Sequence, residues 1–177
     1  METRVNWMID AAHTKISFKV KHLMISNVQG NFNDFEGTVT TLGNDFSTAI
    51  ISFSLQTASI ATQVPDRDAH LKSADFFDVE KFPKITFLGH ELKDLGDDMY
   101  EITGDLTMKN ISQQISLTVE HGGMITDPWG QVKTGFTITG KINRKNWGLN
   151  WNTVLETGGV LVGEEVKILC EVELTKQ

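Results

Sequence analysis

The side chains of this sequence that could do chemistry are few, and their spacing restricts them further. Histidines stand at His13, His22, His70, His90 and His121. Protein-bound zinc draws its Cys and His ligands largely from closely spaced pairs. None of these histidines has such a partner, and the single cysteine, Cys170, cannot supply one, so no metal site is expected. A hydrolase-type serine would need a Gly-x-Ser-x-Gly elbow, which the sequence lacks. Cys170 falls on the apolar parity of an alternating run, where a free thiol behaves as a small buried apolar side chain. No glycine-rich loop leads into a helix to cradle a phosphate. Gly158-Gly159 and Gly163 bracket Val160-Leu161-Val162 and read as a turn into the last strand. Carboxylates come in neighbouring pairs: Asp66 with Asp68, Asp75 with Asp78, Glu164 with Glu165. Such pairs run acid–base chemistry when their environments differ. These fall in turns, at a helix start or on outer strand faces, where solvent treats both members alike. No catalytic residue and no cofactor are therefore expected.

The elements that would position any site show a period of two. Strand side chains alternate between faces, so one apolar parity marks one buried face. Ile16, Phe18 and Val20 oppose Lys15, Ser17, Lys19 and Lys21; Ile102 and Leu106 oppose Glu101, Thr103, Asp105 and Thr107. Ile115 and Leu117 oppose Ser116 and Thr118; Phe136 and Ile138 oppose Thr137 and Thr139; Ile168 and Val172 oppose Lys167, Glu171 and Glu173. These eleven apolar residues are expected to face inward. Two segments, Ala49 to Leu55 and Lys84 to Leu92, are apolar on both faces and predict an outer cover of loop or helix. A strand over Val28 to Leu42 should bend near Asp34 or Gly37. With turn signals at Gly43-Asn44, Gly96-Asp97-Asp98, Lys109-Asn110 and Asp127-Pro128-Trp129-Gly130, the pattern gives about eight antiparallel strands. Closing such a sheet into a barrel removes its edges. A barrel of that size is either filled by side chains or holds one ligand.

Alternation fails between Asp66 and Phe77, which predicts a helix near one barrel end, acting as lid or brace. Asp66 or Asp68 would cap it, and Leu71, Phe76 and Phe77 would be its apolar contacts. A shorter helical turn is expected at His22-Leu23-Met24-Ile25. For recognition of a polar head group, the candidates are His22, which ends the first strand on the apolar parity, and Arg144 and Trp147 in Arg144-Lys145-Asn146-Trp147. Arg144 could bond a carbonyl or phosphate and Trp147 could stack on a flat head. Alternatively Arg144 pairs with Glu164 or Glu165 and Trp147 plugs the barrel end. The Asp127–Gly130 turn is expected to approach this cluster.

Composition bounds the partners. The 177 residues suit one domain over 1–177. Sixteen Lys and Arg against 23 Asp and Glu give a net charge of -7, which argues against a nucleic-acid surface and against constitutive binding to an anionic membrane. No apolar run reaches spanning length, so stable membrane insertion is not expected. A lone cysteine fits a reducing compartment. The opening Met1-Glu2-Thr3-Arg4-Val5-Asn6-Trp7 lacks a signal-peptide core, so a cytoplasmic location is expected, or a periplasmic or secreted one if a leader has been removed.

Several blocks in order resemble the YceI-like family of polyisoprenoid-binding proteins with a lipocalin-like barrel. They are Trp7-Met8-Ile9-Asp10 with His13 to His22, Val28-Gln29-Gly30-Asn31-Phe32, and Phe35-Glu36-Gly37-Thr38. The most specific is Arg67 to Asp78, continuing through Lys81-Phe82-Pro83 to Ile85-Thr86-Phe87; later come Gly104 to Thr107, Ile142 to Leu149, and Val162 to Val166. Met108 to Gln113 departs from the family's Gly-Val-Thr-Lys-like turn, though Asn110 tolerates positive φ and should keep the hairpin. The resemblance implies an extended eight-stranded antiparallel barrel with a short helix near one end. It also implies a channel for a long-chain apolar amphiphile (polyisoprenoid, isoprenoid quinone, fatty amide or acid) and no required metal. Family members are often exported and some dimerise, which leaves a homodimer open. The alternatives are an enzyme acting on such a lipid, and a filled barrel with a stress or interaction role.

Overall fold

A computed structural model describes residues 3–153, 155 and 160–177. Each alternating run becomes a strand, because a slip of one residue would turn its whole apolar set outward. The chain climbs through β1 (Arg4–Ile9) and β2 (Lys15–His22), descends through β3 (Ser26–Phe32) and β4 (Phe35–Leu42), and climbs again through β5 (Asp45–Gln56) and β6 (Ile60–Ala61). Each of these pairs is one stave with an interruption. A 3-10 turn at Ala11–His13, capped by the Asp10 carboxylate on the Ala12 N–H at 3.2 Å, separates β1 from β2. Five uninterrupted staves follow: β7 (Lys84–Gly96), β8 (Met99–Met108), β9 (Ile111–Thr126), β10 (Val132–Asn143) and β11 (Val162–Lys176). All pairings are antiparallel between neighbours in sequence, and β11 returns to the first stave. Its C-terminal part pairs β1 (Trp7 opposite Lys176) and its N-terminal part pairs β2 (Ile16 opposite Cys170). The result is a closed eight-stranded antiparallel barrel with one short helix, α1 (Pro65–Lys72), over one end.

The register brings inner residues of neighbouring staves together. Two glycines let large side chains lie flat against the wall: a Cβ at Gly30 would collide with the Phe18 ring, and one at Gly140 with Leu117. Phe18 thereby reaches Phe32, with ring centroids 5.6 Å apart. The end away from α1 is floored by aromatics. Trp7 is fully buried; its indole N–H donates to Thr41 Oγ1 at 3.0 Å, and Thr41 in turn donates to the Gly43 carbonyl at 2.7 Å. Phe46 packs 5.2 Å from Trp7 and 5.0 Å from Phe136, which stacks on His121 at 4.7 Å.

Local expectations change in four places. The Val28–Leu42 run breaks at Asn33-Asp34 into two strands, nearer Asp34 than Gly37. The His22–Ile25 segment is a three-residue hairpin loop, Leu23-Met24-Ile25 between the paired His22 and Ser26, with positive φ at Leu23 and Met24, since strand pairing on both sides leaves no room for a helical turn. α1 stops at Lys72, and its N-cap is Val64 with Pro65 at the first turn. Asp68 instead reaches back to accept from the Thr62 N–H at 2.8 Å and from the Thr62 hydroxyl. Finally, the outer sides of β5 and β7 carry no cover: Ile50 and Leu88 stand exposed. The predicted Gly158-Gly159 turn lies outside the described residues.

The closing seam carries an ion cluster on its outer face. Lys133 Nζ lies 2.8 Å from the Asp10 carboxylate and 3.3 Å from Glu173, and His13 Nδ1 lies 2.9 Å from Asp10. The Lys133 hydrogen bond, then that of His13, lowers the Asp10 pKa from 3.8 to about 2. The folded value lies below the unfolded one, so the stabilisation is complete above about pH 4 and fades as pH falls toward about 2. Asp10→Asn should therefore lower unfolding free energy by about 1 kcal/mol at pH 7, after allowance for solvent screening. The difference from the parent should vanish near pH 2; urea titrations at both pH values check this.

Candidate functional site

Inside the barrel lies a cavity of about 400 Å³ running from the aromatic floor to α1. All eleven residues placed inward by parity stand on its wall: Ile16, Phe18, Val20, Ile102, Leu106, Ile115, Leu117, Phe136, Ile138, Ile168 and Val172. The double-faced segments add Ala49, Ile51, Phe53, Leu55, Ile85 and Phe87. Phe136 belongs to the floor, whereas Ile138 and Ile168 stand further up on paired staves near Gly140.

Polar lining gathers at the helix end. Charged and imidazole residues along the wall are His22, Arg67, His70 and Arg144, with Lys21 at the rim on the outer parity of β2, and among the described residues no Asp or Glu lines it. In a chain of net charge -7 this is a marked bias toward donors. α1 supplies two of them. Arg67 and His70 are three apart, hence on one helix face. Arg67 Nε donates to Thr62 Oγ1 and Nη2 to the Thr62 carbonyl, both at 2.7 Å. These bonds fix the guanidinium plane, and its Nη1 has no hydrogen-bond partner among the described residues. His70 Nε2 lies 2.8 Å from the Asp75 carboxylate, and its ring meets Trp151 edge-on at 4.6 Å. Phe76 packs 5.3 Å from Trp151, and Phe77 packs 5.9 Å from Phe32. Leu71 and Phe77 join the core as expected for the helix contacts, and Phe76 is buried.

The structure divides the three head-group candidates. His22 lines the mouth. Arg144 is buried and pairs with neither Glu164 nor Glu165. Its Nε donates to Gly163 O at 2.8 Å, Nη1 to Leu149 O at 2.6 Å and Trp151 O at 3.0 Å, and Nη2 to Val162 O at 3.4 Å. Burial lowers its pKa, and Glu164 pairs instead with Lys145 at 2.8 Å. The guanidinium is a knot holding the chain after β10 to the start of β11. Trp147 is buried and donates to the Leu106 carbonyl at 2.9 Å, which places it behind the wall as an end plug. The Asp127–Gly130 turn lies at the opposite end, because it joins β9 to β10 at the floor; Trp129 there is 84% exposed. Parity reasoning missed Arg67, His70 and Trp151. The i, i+3 spacing of the first two was the available signal.

Two other groups were candidates for chemistry. Cys170 lines the cavity, and burial pushes its thiol up to about 11, so it is protonated and a poor nucleophile near neutrality. Asp10, His13 and Glu173 bring ligand atoms within 4.8 Å of one another, but the Lys133 ammonium already stands among them as their cation.

A YceI-like domain model matches residues 7–174. A UPF0312 protein of Staphylococcus aureus strain N315 is 42% identical over 171 residues, covering 96% of this chain and 97% of the relative. The crystal structure of the Campylobacter jejuni YCEI protein superposes with a TM-score of 0.76 at 31% identity, covering 95% of this chain and 96% of that one. Burkholderia cenocepacia BcnA superposes at 0.81 with 20% identity, covering 93% and 98%. A polyisoprenoid binding domain from Saccharophagus degradans superposes at 0.68 with 10% identity, covering 95% and 97%.

The Arg144 knot generates a test. Arg144→Met leaves four buried or half-buried carbonyls without that donor. It should cost about 3 kcal/mol of stability in denaturant titrations. Arg144→Lys should recover only part of this, since one ammonium cannot reproduce the fork.

Proposed function

As the chain belongs to the YceI-like family, we propose that it binds a long-chain apolar amphiphile inside the barrel, to carry or store it, and is a binding protein rather than an enzyme. The observation that carries this reading is the closed barrel around an apolar cavity of about 400 Å³. That volume falls within the roughly 300–1,000 Å³ of small-molecule sites. An isoprenoid, quinone or fatty tail suits a wall that is mostly apolar below its mouth, with no charged side chain there among the described residues. The polyisoprenoid-binding domain of Saccharophagus degradans, which shares the fold, supports the same class of ligand.

The energetics distinguish tail from head. Each buried methylene contributes about 0.8 kcal/mol, so ten to fifteen give roughly 8–12 kcal/mol. Association costs roughly 4 kcal/mol or more. The remaining ~4–8 kcal/mol corresponds to millimolar to micromolar binding from the tail alone. A contact at the mouth then decides selectivity. Donors without carboxylates favour a head that accepts hydrogen bonds or carries negative charge: a phosphate, a carboxylate, or a quinone or amide carbonyl. Arg67 Nη1 and His22 are the groups we assign to it; Arg144 and Trp147 act through structure.

Native mass spectrometry of the purified protein, followed by organic extraction, should find a long-chain amphiphile or show uptake of an added isoprenoid or fatty acid. Protein that carries none and takes up none would overturn the proposal. Ile168→Asp, with a charge high on the wall, should abolish uptake while circular dichroism reports a folded barrel; Ile168→Leu should retain it. Arg67→Ala should weaken a fatty acid by about tenfold and leave its hydrocarbon analogue unchanged. Equal effects on both would remove Arg67 from head-group contact.

A further inference from the structure

The hairpin between β2 and β3 carries residues its backbone disfavours. Leu23 and Met24 have φ of 53° and 63°, a turn that favours Asn and Gly. Consecutive positive-φ residues also form the two-residue turns at Asp97-Asp98 and Lys109-Asn110, where polar residues stand. Only this one, among the described residues, sets two large apolar side chains there. Solvation disfavours it as well: Leu23 is 38%, Met24 58% and Ile25 84% exposed. Lys21 and His22, immediately before the turn, line the cavity mouth, so the apolar tip stands beside the entrance.

A second observation comes from the sheet register. Lys19 lies opposite Lys167, and Lys167 opposite Lys141, so three lysines stand side by side across β2, β11 and β10 on the outer face. Like charges directly opposite one another destabilise a sheet. Glu165 answers one of them only weakly, 4.0 Å from Lys141 with both side chains largely exposed. Lys21 continues the outer parity of β2 from this row toward the tip. A locally basic wall thus leads to an exposed apolar tip, in a chain whose net charge is -7.

From this pairing we infer that the Leu23-Met24-Ile25 tip is a docking point for an anionic lipid bilayer. The three side chains enter the headgroup boundary, and the lysine row lies against anionic phosphates. The tip is convex and short, which suits insertion among lipids and offers no groove for a peptide. Reversible peripheral binding follows this combination of a small apolar area with local positive charge. The whole-chain acidity opposes only long-range attraction, which salt screens within about 10 Å. The inference rests on the carrier reading for its purpose: docking brings the mouth to the membrane where a long-chain ligand resides.

The test replaces the tip by the turn sequence its backbone prefers, with Leu23→Asn, Met24→Gly and Ile25→Thr in the full chain. The thermal midpoint should stay equal or rise, and uptake of a fluorescent fatty acid from solution should match the parent, which separates docking from ligand binding. The parent should co-sediment with phosphatidylcholine vesicles containing phosphatidylglycerol, and roughly tenfold less with phosphatidylcholine alone or in raised salt. The tip variant should lose at least about tenfold of that binding. Lys19→Gln with Lys167→Gln should lose the preference for anionic vesicles while keeping the fold. Three outcomes would overturn the inference: a parent that binds no vesicle at low ionic strength, a tip variant that binds as the parent does, or self-association through the tip that the variant abolishes.

Discussion

The pairing of β11 with the first stave is the contact on which the rest of the structure depends. An eight-stranded meander left open would present two edges with unpaired amides and a broad apolar face to water. Closing it gives each edge a partner and converts the apolar face into an interior. β11 does this with different residues at its two ends, meeting β1 beyond Glu173 and β2 before it. The interruption at Ala11–His13 falls where the partner changes, and the Asp10–Lys133–Glu173 cluster sits over that joint. The charges therefore mark the place where the closing ladder changes partner.

Closure fixes where polar groups can go. On the wall the charged and imidazole groups gather at the helix end, and the buried guanidinium of Arg144 is tied to backbone. Arg144 illustrates the constraint: a buried guanidinium must engage its donors, and the carbonyls of Leu149, Trp151 and Gly163 take them. Arg67 is held differently. Two bonds to Thr62 orient it, and it lines the cavity from a half-buried position on α1. The same side-chain type is thus fully engaged with backbone in one case and keeps a nitrogen without a hydrogen-bond partner among the described residues in the other, and burial makes the difference.

The sequence made the barrel legible because its period-two signal is local and each strand repeats it. Wall residues such as Ile138 and Ile168 could be placed without knowing their partners. The mouth was less legible. Whether Arg144 meets Glu164, a ligand or main chain depends on how the irregular segment after Trp147 folds back, and no periodicity encodes that. Trp147 looked like a stacking platform because its type suits one, but register sets its indole against the Leu106 carbonyl. The expected helical turn at His22-Leu23-Met24-Ile25 gives way to a hairpin loop because pairing of His22 with Ser26 forces positive φ on Leu23 and Met24, which nothing in their side-chain types signals. Ile50 and Leu88 suggested an outer cover for the same reason that they stand exposed: alternation weakens where both faces are apolar, and the sequence cannot say whether water or protein meets the second one.

A hollow interior imposes a cost that a filled one avoids. Wall atoms facing a void lack dispersion partners on one side, and cavities weaken native proteins in proportion to their size. Small inner residues at Gly30, Gly104 and Gly140 do not arise from that void, because the Phe18, Phe87 and Leu117 side chains already lie over them. The wall is therefore packed within itself, and the space that remains is bounded by side chains braced against their neighbours. An apolar ligand that filled this space would restore those contacts, and a ligand that binds only the native state adds to its stability by mass action, about 2.7 kcal/mol when it stands at a hundred times Kd. Occupancy and fold stability are thus coupled through the same apolar wall.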